Sequence, residues 1–403
     1  MNVPMNEFQR LRSIYPDWSS LKGFLVSEAN LRIIESEDVP GLAIVRYVAD
    51  KSKMDCKSID MSFFRSIIVN TETNNVVCVA PPKAQADLPP LNVEIQQVED
   101  FVDGCMIQVF LQADGEMRLA TRTQIGAKNT FYSKKSFADL FEEGLNATPI
   151  RSLDALKSIL SERLTSLGAS AVFASFVIQH PEHRIVMKYR TPDVNLVHFG
   201  WSTHDGSVTL EENADAWAPP LRRLQISRYP INEDSTIKSF TAVEEIHALV
   251  RRAAVVGGFC WQGLVFKDGS GKRWKVRSKS YLYLRALRGG EALPVERFLR
   301  LRKDGKVVEY LKHYGEEREA FWGFETALRA KTNDVLKAYE DVNKTHSKTF
   351  AELDAAYKPG VFMLHNYYLT SLRPEKKGSI RLNDAIRVVN AMKPFEQRRL
   401  LET

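Results

Sequence analysis

The sequence is poor in cysteine and has no long hydrophobic run. Its 403 residues include four cysteines, which are widely separated, form no CxxC pair and have no companion cluster of histidines. A disulfide framework or a structural zinc site is therefore not expected. There is no stretch of about 18 uninterrupted apolar residues, and the amino-terminal residues contain no apolar signal-peptide core. We therefore expect a protein that neither enters a membrane nor is secreted.

Charge of neither sign is in large excess. The 56 Lys and Arg residues against 50 Asp and Glu residues give a net charge of +6, which permits an anionic partner without requiring one. Positive charge is concentrated in three runs, at residues 221–228, 267–279 and 297–306. Each run fits a solvated surface as well as an anion-binding surface, so charge alone identifies no partner.

Short apolar segments predict strands between about residues 40 and 285. These segments are LAIVRYVA, FRSIIVN, NVVCVAP, CMIQVFLQ, MRLATRT, AVFASFVIQ, RIVMKYR, VNLVHFGW, GLVFK and RWKVRSKSYLYL. Helical patterns interrupt them at 134–145, 151–167 and 240–254, and the segment 81–90 is predicted to be a rigid surface loop. Asp-Gly dipeptides, each of which predicts a hairpin turn, begin at residues 103, 114, 205, 268 and 304.

The pattern changes near residue 291. Beyond it, apolar positions three and four apart predict helices. A chain of 403 residues also exceeds the usual size of one hydrophobic core. The sequence therefore predicts an α+β protein with an N-terminal helical extension (1–40), a strand-rich domain (41–288) and a C-terminal helical domain (289–403).

One continuous block, residues 98–141, carries several features in a known order. It contains Asp103-Gly104 after a predicted strand, then a predicted hairpin, then a Thr-Arg pair that ends at Arg122. This order resembles the core of phage and viral ATP-dependent RNA ligases, whose first motif is Lys-x-Asp-Gly. The resemblance continues upstream in FFRSIIVNTETNNVVCVAPPK, and downstream in FASFVIQHPEHRIVMKYR, WQGLVFK and RWKVRSKSYL, which are similar to the third, fourth and fifth motifs.

The resemblance covers roughly residues 60–285 and implies a particular fold and chemistry. The implied fold is a nucleotidyltransferase domain, with antiparallel sheets like those of ATP-grasp proteins, followed by a helical domain. Such ligases attach AMP from ATP to a lysine, transfer it to a 5′-phosphate and then join that end to a 3′-hydroxyl. This chemistry requires a partly deprotonated lysine, carboxylates that hold a divalent ion, and cations that neutralise charge on the phosphorus oxygens.

The sequence departs from the family pattern at three positions that carry this chemistry. Phe101 stands in place of the nucleophilic lysine, Gln262 in place of the fourth-motif carboxylate, and Val177 where the third motif usually has glutamate. The preferred interpretation is a protein with no catalytic residues and no metal ligands. ATP or AMP and Mg²⁺ are expected as cofactors only if some ligase function is retained. Lys267 and Lys303 also precede Asp-Gly, and either would be the nucleophile if the first motif had been misplaced.

The basic part of the family site is retained. Taken singly, each basic position fits an exposed or ion-paired strand residue equally well. As a convergent set, they predict a site for ATP, AMP or a nucleic-acid backbone. Arg277 replaces the second lysine of the fifth motif and keeps its charge. The predicted nucleotide- or phosphate-binding residues are Arg65, Lys83, Asp103, Gly104, Arg122, Arg184, Lys275 and Arg277.

Other candidate residues have simpler interpretations. His183 and His198 are expected to be hydrogen-bonded core or rim residues. Phe321, Trp322 and Phe324 have the spacing of a buried helix face and are expected to pack in a core.

Three functions remain open at the level of sequence. The preferred one is an inactive RNA-ligase-like protein that binds nucleic acid or forms part of a larger, viral assembly. The second is an enzyme that seals only RNA ends already carrying AMP, and the third is a complete ligase with a misplaced nucleophile. We expect RNA or another nucleic acid as a partner, and protein partners through the helical domain, whose charge is mixed. The resemblance places the protein in the cytoplasm or within a virion.

Overall fold

Antiparallel sheets form the first part of the structure, and helices form the last. The predicted α+β class is confirmed. Contacts within the chain divide it into two units, residues 1–285 and 286–403. Most of the helix predicted at 240–254 lies outside the described residues. The computed structural model describes residues 6–53, 55–56, 59–86, 88–90, 93–211, 217–224, 226, 228–229, 251–252, 255, 258–269, 271–374 and 378–403.

The strands lie in the first unit. They are β1 (Arg32–Glu35), β2 (Leu42–Arg46), β3 (Asp55–Cys56), β4 (Ile59–Asp60), β5 (Ile67–Asn70), β6 (Val76–Val79), β7 (Ile95–Asp100), β8 (Cys105–Gln112), β9 (Met117–Ala120), β10 (Ala171–Gln179), β11 (Asp193–Ser202), β12 (Val208–Glu211), β13 (Arg228–Tyr229), β14 (Gly263–Asp268) and β15 (Arg273–Arg277).

The α-helices occur in both units. They are α1 (Asn6–Ile14), α2 (Trp18–Ser27), α3 (Phe137–Asn146), α4 (Leu153–Ser166), α5 (Pro219–Arg222), α6 (Lys279–Arg288), α7 (Pro294–Lys303), α8 (Val307–His313), α9 (Arg318–Asn343), α10 (Lys358–Tyr367), α11 (Leu382–Ala391) and α12 (Pro394–Glu402). Among the described residues, no helix combines the length and the apolar character needed to span a membrane.

The first sheet has the strand order β1-β2-β5-β6, the second β12-β11-β10-β8-β9 and the third β13-β7-β14-β15. The segment predicted as a helical extension contributes both helices and a strand to this unit, because β1 pairs with β2. Phe8 of α1 and Phe24 of α2 are buried in one core with the first sheet and with Phe110 and Phe173 of the second. Burial of each such ring contributes roughly 1.5–3 kcal/mol.

Helices α3 and α4 pack on the second sheet. Phe141 of α3 and Leu156 of α4 share a core with Phe176 and Leu196. Helix α3 begins at Phe137, three residues later than predicted, because Ser136 and Asp139 form a reciprocal capping box there. These helices and sheets form the scaffold that carries the segments described below.

The third sheet separates an apolar face from a polar one. Because side chains alternate along a strand, Val98, Leu264, Phe266 and Trp274 share one buried cluster. The strand register places a different set opposite one another on the other face. That set is Glu99, Val265, Lys267, Arg273, Lys275 and Arg277.

Two segments predicted as strands have other structures. Residues 184–190 form no strand, because the backbone amides of Val186 and Met187 donate to the carboxylate of Asp103, at 3.1 and 2.9 Å, instead of to a neighbouring strand. The last predicted strand ends at Arg277. Helix α6 follows it, since the Ser278 hydroxyl accepts a hydrogen bond from the backbone amide of Tyr281 as a helix cap does.

The segment 81–90 is not a simple surface loop. The Gln85 amide donates to the Arg273 carbonyl oxygen at 2.8 Å, and the Lys275 amide donates to the Gln85 carbonyl oxygen at 2.9 Å. The segment therefore runs beside β15 and brings its own side chains next to those of that strand.

Two predicted hairpin turns are also wrong. Asp103-Gly104 leads directly into β8, and Asp304-Gly305 ends α7.

The second unit neutralises its own basic run. Arg297, which is 1% exposed, lies with its Nη1 2.7 Å from Oε1 of Glu317, and Tyr310 donates to the same carboxylate at 3.0 Å. Arg300 pairs with Glu291, and Arg302 with Glu325 at 2.9 Å. Three arginines of the run 297–306 are thus engaged by carboxylates of their own unit.

The aromatic residues of α9 are not all buried. Phe321 is 2% exposed, and it and Phe324 contact the ring of Phe298. Trp322 is 72% exposed, so the expectation that it packs in a core is wrong. The helical spacing places it between two core positions, on the solvent side of the same turn.

Candidate anion-binding site

A cavity of about 670 Å³ opens within the first unit. Among the described residues, seven basic side chains line it, against two acidic ones, Glu99 and Asp100. Five of the seven are residues predicted from the sequence, and Arg273 and Arg285 are additional. The basic residues are Arg65, Lys83, Arg122, Arg273, Lys275, Arg277 and Arg285.

Most of these cations have no carboxylate partner among the described residues. Arg273 lies with its Nη2 3.1 Å from Oε1 of Glu99. The other six basic residues of the cavity form no ion pair with any part of the chain that the structure describes. Clustered, unpaired guanidinium and ammonium groups repel one another, and a bound anion would relieve that repulsion.

The backbone pairing of residues 81–85 with β15 positions two of the lysines. Lys275 Nζ donates to the carbonyl oxygen of Ala84 at 2.9 Å, and Lys83 Nζ lies 4.8 Å from the centre of the Tyr47 ring. Burial, followed by the positive charges of Arg277, Arg65, Lys83 and Arg273, lowers the pKa of Lys275 to about 8. The ammonium form of Lys275 is therefore held in a site that already carries excess positive charge.

Arg65 is positioned at the end of the first sheet. Its Nη1 lies 3.5 Å from the Pro81 carbonyl oxygen. Burial, and then the charges of Arg273 and Arg122, lower the pKa of Arg65 to about 10. The guanidinium remains protonated at neutral pH and faces other cations.

Phe101 occupies the wall of the cavity at the position that resembles the ligase nucleophile. The guanidinium carbon of Arg277 lies 5.0 Å from the centre of its ring, within the range of a cation–π contact. Phe101 directly follows β7, and its backbone amide donates to the Gly263 carbonyl oxygen at 2.9 Å. The backbone therefore presents this side chain to the cavity, but the side chain has no nucleophilic atom.

Asp103 is a structural residue and does not line the cavity. Its buried carboxylate accepts hydrogen bonds from the amides of Val186 and Met187 and from the Tyr281 hydroxyl, at 3.1, 2.9 and 2.7 Å. Burial, and then the charge of Asp103, raise the pKa of Tyr281. The carboxylate fixes the segment after β10 against α6, and a role of Asp103 in binding nucleotide or phosphate stays a prediction.

Gly104 lines the cavity, where its chain passes very close to β10. A Cβ atom at this position would lie 2.3 Å from the carbonyl oxygen of Ile178 and 2.6 Å from a methyl group of Val177. Contacts that close require the backbone to move. The absence of a side chain at residue 104 is therefore a packing requirement.

The remaining predicted positions lie in different places. Val177 lines the cavity, whereas Gln262 and Arg184 do not. Gln262 is 5% exposed, and its Oε1 has no hydrogen-bond partner within the described chain. The Nε of Arg184 donates to the Val186 carbonyl oxygen at 3.1 Å.

The two alternative lysines are also outside the cavity. Lys267 is 3% exposed, and its Nζ lies 3.1 Å from Oε2 of Glu99. Lys303 is the exposed last residue of α7. The side chain of Lys267 is therefore held by a carboxylate, and Lys303 belongs to the second unit.

The acidic residues do not fit a divalent ion. Both oxygens of Glu99 are taken, by Lys267 and Arg273, and Asp100 accepts a hydrogen bond from Trp261 Nε1 at 3.2 Å. Nowhere in the described residues do three or more His, Cys, Asp or Glu side chains lie together as a potential metal site. Mg²⁺ prefers carboxylate and phosphate oxygens, whereas the described lining of this cavity offers mainly cations and suits an anion.

Cys105 and His183 lie together but do not form a reactive pair. The Cys105 sulfur is 3.6 Å from both ring nitrogens of His183. Burial, and then the charge of Asp103, raise the pKa of the thiol to about 12, while burial lowers the pKa of His183 to about 4. Both groups are therefore neutral at pH 7. His198 is a core residue whose Nε2 lies 2.8 Å from the Val79 carbonyl oxygen.

Apolar and neutral polar side chains complete the wall. The cavity therefore offers aromatic and amide groups as well as cations to a ligand. Sequence reasoning missed this part, because the residues lie in irregular segments, at the start of α3, or on a strand whose partners it did not assign. They include Thr121, Thr123, Asn129, Phe131, Phe137 and Val197.

The lowered pKa of Lys275 gives a testable pH dependence. An anion bound beside its ammonium group raises that pKa, so binding takes up protons once the pH exceeds about 8. We expect the affinity for AMP to be constant near pH 7 and to fall as the pH rises through 8 to 9.5. Lys275→Arg keeps the charge throughout and should abolish most of this fall. An equal fall in both proteins, measured by calorimetry, would contradict the assignment to Lys275.

Comparison with known proteins gives limited similarity. No model of a protein family matches the chain, and no curated protein matches it. Among solved structures, it is similar to two forms of an archaeal ATP-dependent RNA ligase, both with a TM-score of 0.40. At 15% and 16% identity, these matches cover 79% and 77% of this chain and 74% and 76% of the other.

A Naegleria gruberi RNA ligase with PPi gives a TM-score of 0.27 at 13% identity. That match covers 50% of this chain and 57% of the ligase chain. Similarities of this size do not assign an activity to this protein.

Proposed function

We propose that this protein is an RNA-ligase-like protein that binds nucleotide or nucleic-acid phosphate without forming a covalent adenylate. It would act as a nucleic-acid-binding or structural component of a larger assembly, as in a virus. The observation that carries the proposal is one cavity whose described lining includes seven basic side chains, with Phe101 at the position that resembles the ligase nucleophile.

The charge and shape of the cavity favour a phosphate-bearing ligand. Guanidinium groups bind phosphate through paired N–H donors, and Arg65, Arg122 and Arg277 lie on the wall without a carboxylate partner in the described chain. The aromatic side chains of Phe131 and Phe137 on the same wall suit a base. A nucleotide or the end of a nucleic-acid strand has both of these chemical features.

The same cavity is poorly suited to covalent adenylylation. Transfer of AMP to a lysine needs a free amine and a metal held by carboxylates. Lys275 Nζ already donates to a carbonyl oxygen, and Glu99 is occupied by Lys267 and Arg273. Gln262 supplies a neutral amide in place of a carboxylate and does not reach the wall.

Incubation with α-labelled ATP and Mg²⁺ or Mn²⁺, followed by denaturing separation, tests the absence of adenylylation. We expect no label on the wild-type protein. We also expect none on Phe101→Lys, because that variant restores the amine but not the missing carboxylates. A labelled wild-type protein would contradict the proposal, and the modified residue would then be sought among Lys275, Lys83, Lys267 and Lys303. Label on Phe101→Lys alone would show that only the nucleophile is missing.

A second function, sealing of RNA ends that already carry AMP, is favoured by one observation. This step does not use the missing lysine, and Lys275 and Arg277, which resemble fifth-motif residues, both line the cavity. Incubation with pre-adenylylated RNA and an acceptor strand distinguishes the two functions. A joined product that disappears in Lys275→Met would favour the sealing enzyme over the binding protein.

A further inference from the structure

Two arginines lie opposite one another at the edge of the first sheet. In the antiparallel pairing of β1 with β2, Arg32 is the direct partner of Arg46. Directly opposed residues have Cβ atoms roughly 4.5–5.5 Å apart, and like charges in such positions destabilise the pair. In the part of the chain that the structure describes, neither arginine forms an ion pair with a carboxylate.

Arg122 extends this cluster to the cavity. Arg46 is half-buried, and its Nε is a buried donor without a hydrogen-bond partner in the described structure. Burial, and then the charges of Arg122 and Arg32, lower the pKa of Arg46. Arg122 itself is exposed and lines the cavity. Its positive charge also contributes to the lowered pKa of Arg65. Tyr47, the residue directly after Arg46, lines the same cavity as Arg122. The pairing of Arg46 with Arg32 and the shared lining by Tyr47 and Arg122 therefore place the three arginines between the cavity and the edge of the first sheet.

We infer that Arg32, Arg46 and Arg122 form a second phosphate subsite outside the cavity, which binds the backbone of a single nucleic-acid strand whose end lies in the cavity. This inference rests on the proposed function and adds the class of ligand, a strand instead of a mononucleotide. Arg122 belongs both to the cations of the cavity and to the second subsite. Successive phosphates of one strand can therefore contact first the cavity and then the subsite.

The chemistry of the three side chains favours a nucleic-acid backbone over an acidic protein segment. Three guanidinium groups offer flat pairs of donors that match phosphate oxygens. Repeated phosphates along a flexible strand can meet successive cations on a curved path. Contacts to the backbone carry no sequence information, so binding at this subsite is sequence-independent.

The test compares a short 5′-phosphorylated single-stranded RNA with AMP, using the full-length protein. Arg32→Gln and Arg46→Gln should each weaken RNA binding about five-fold at 0.1 M salt and reduce the salt slope by about 0.7, the value for one single-strand phosphate contact. Binding of AMP should not change. The control is Lys157→Gln, which removes a positive charge from α4, away from the cavity wall. The unfolding midpoint should stay constant or rise in Arg32→Gln, because a like-charge pair is removed.

Each outcome has a definite meaning. Selective loss of RNA binding in both variants, with AMP binding intact, would support the subsite. RNA that binds no more tightly than AMP, or that binds equally well to Arg32→Gln and Arg46→Gln, would overturn the inference and leave the proposed function standing. Failure of both AMP and RNA to bind the wild-type protein would overturn the proposed function itself. Polyglutamate that competes as well as RNA at equal charge would also contradict a nucleic-acid subsite.

Discussion

Replacing Arg65 and Lys275 together by glutamine is expected to weaken AMP binding roughly 10²–10⁴-fold. Each charge-assisted hydrogen bond contributes about 1.5–3 kcal/mol, and each 1.4 kcal/mol corresponds to about ten-fold in affinity. Both side chains line the cavity, and both have a pKa lowered by burial and by neighbouring cations. Calorimetric titration with AMP at pH 7 measures the effect.

The same double variant is expected to unfold at a higher temperature. The folded-state pKa of Lys275, about 8, lies below the ordinary value of 10.5. The folded state therefore disfavours the ammonium form, and the resulting destabilisation is present at pH 7 and disappears as the pH rises toward 10.5. Glutamine at position 275 carries no ammonium group. The double variant therefore loses the repulsion between Lys275 and its neighbouring cations, and its folded state becomes more stable.

The control is the pair Lys272→Gln and Lys279→Gln, which are exposed and flank β15 without lining the cavity. In the double variant of Arg65 and Lys275, weaker AMP binding together with a higher unfolding temperature would identify a binding site. The control pair should change neither quantity. An unchanged affinity together with a lower unfolding temperature would show that Arg65 and Lys275 serve the fold alone.

Glu99→Gln is expected to lower the free energy of unfolding by about 3–5 kcal/mol. Glu99 is 1% exposed, and its two oxygens each lie 3.1 Å from a buried cation, Lys267 Nζ and Arg273 Nη2. Removing the carboxylate charge breaks the ion pairs of two buried cations at once, which costs more than the ion pairs themselves contributed. Urea unfolding, followed by circular dichroism, measures the change.

The matched control is Glu116→Gln, a change of the same chemistry at an exposed turn, which should stay within about 0.5 kcal/mol. Adding Lys267→Met to Glu99→Gln should recover part of the lost stability, because one buried charge then no longer needs a partner. If Glu99→Gln proves as stable as Glu116→Gln, the buried cations have another source of compensation.

The sequence predicts the convergence of the basic residues better than their contacts. The order of the ligase-like segments predicts that Arg65, Lys83, Arg122, Lys275 and Arg277 belong to one site, and the structure places all five on one cavity wall. Whether they bind phosphate there remains a prediction. Alternation along β15 also predicts that Arg273 shares a face with Lys275, although only the register with β7 reveals that Glu99 neutralises it.

Other residues illustrate what a one-dimensional pattern cannot specify. Asp103 has the sequence context of a site residue, yet its carboxylate binds backbone amides of a segment more than 80 residues away in the chain. That long-range contact also explains why residues 184–190 do not form a strand. Trp322 has core spacing but is exposed, because helical period alone does not say how wide the buried face is.

The most direct test of the central claim measures bound and covalent ATP in the same sample. Equilibrium dialysis of the protein with α-labelled ATP and Mg²⁺ should show binding that the double variant of Arg65 and Lys275 loses. Intact mass of the same sample after denaturation should equal that of the unmodified chain. Reversible binding without a mass increase is the result expected for a cavity that holds phosphate but lacks a nucleophile. A covalent AMP adduct on the wild-type protein, or no retained ATP at all, would contradict it.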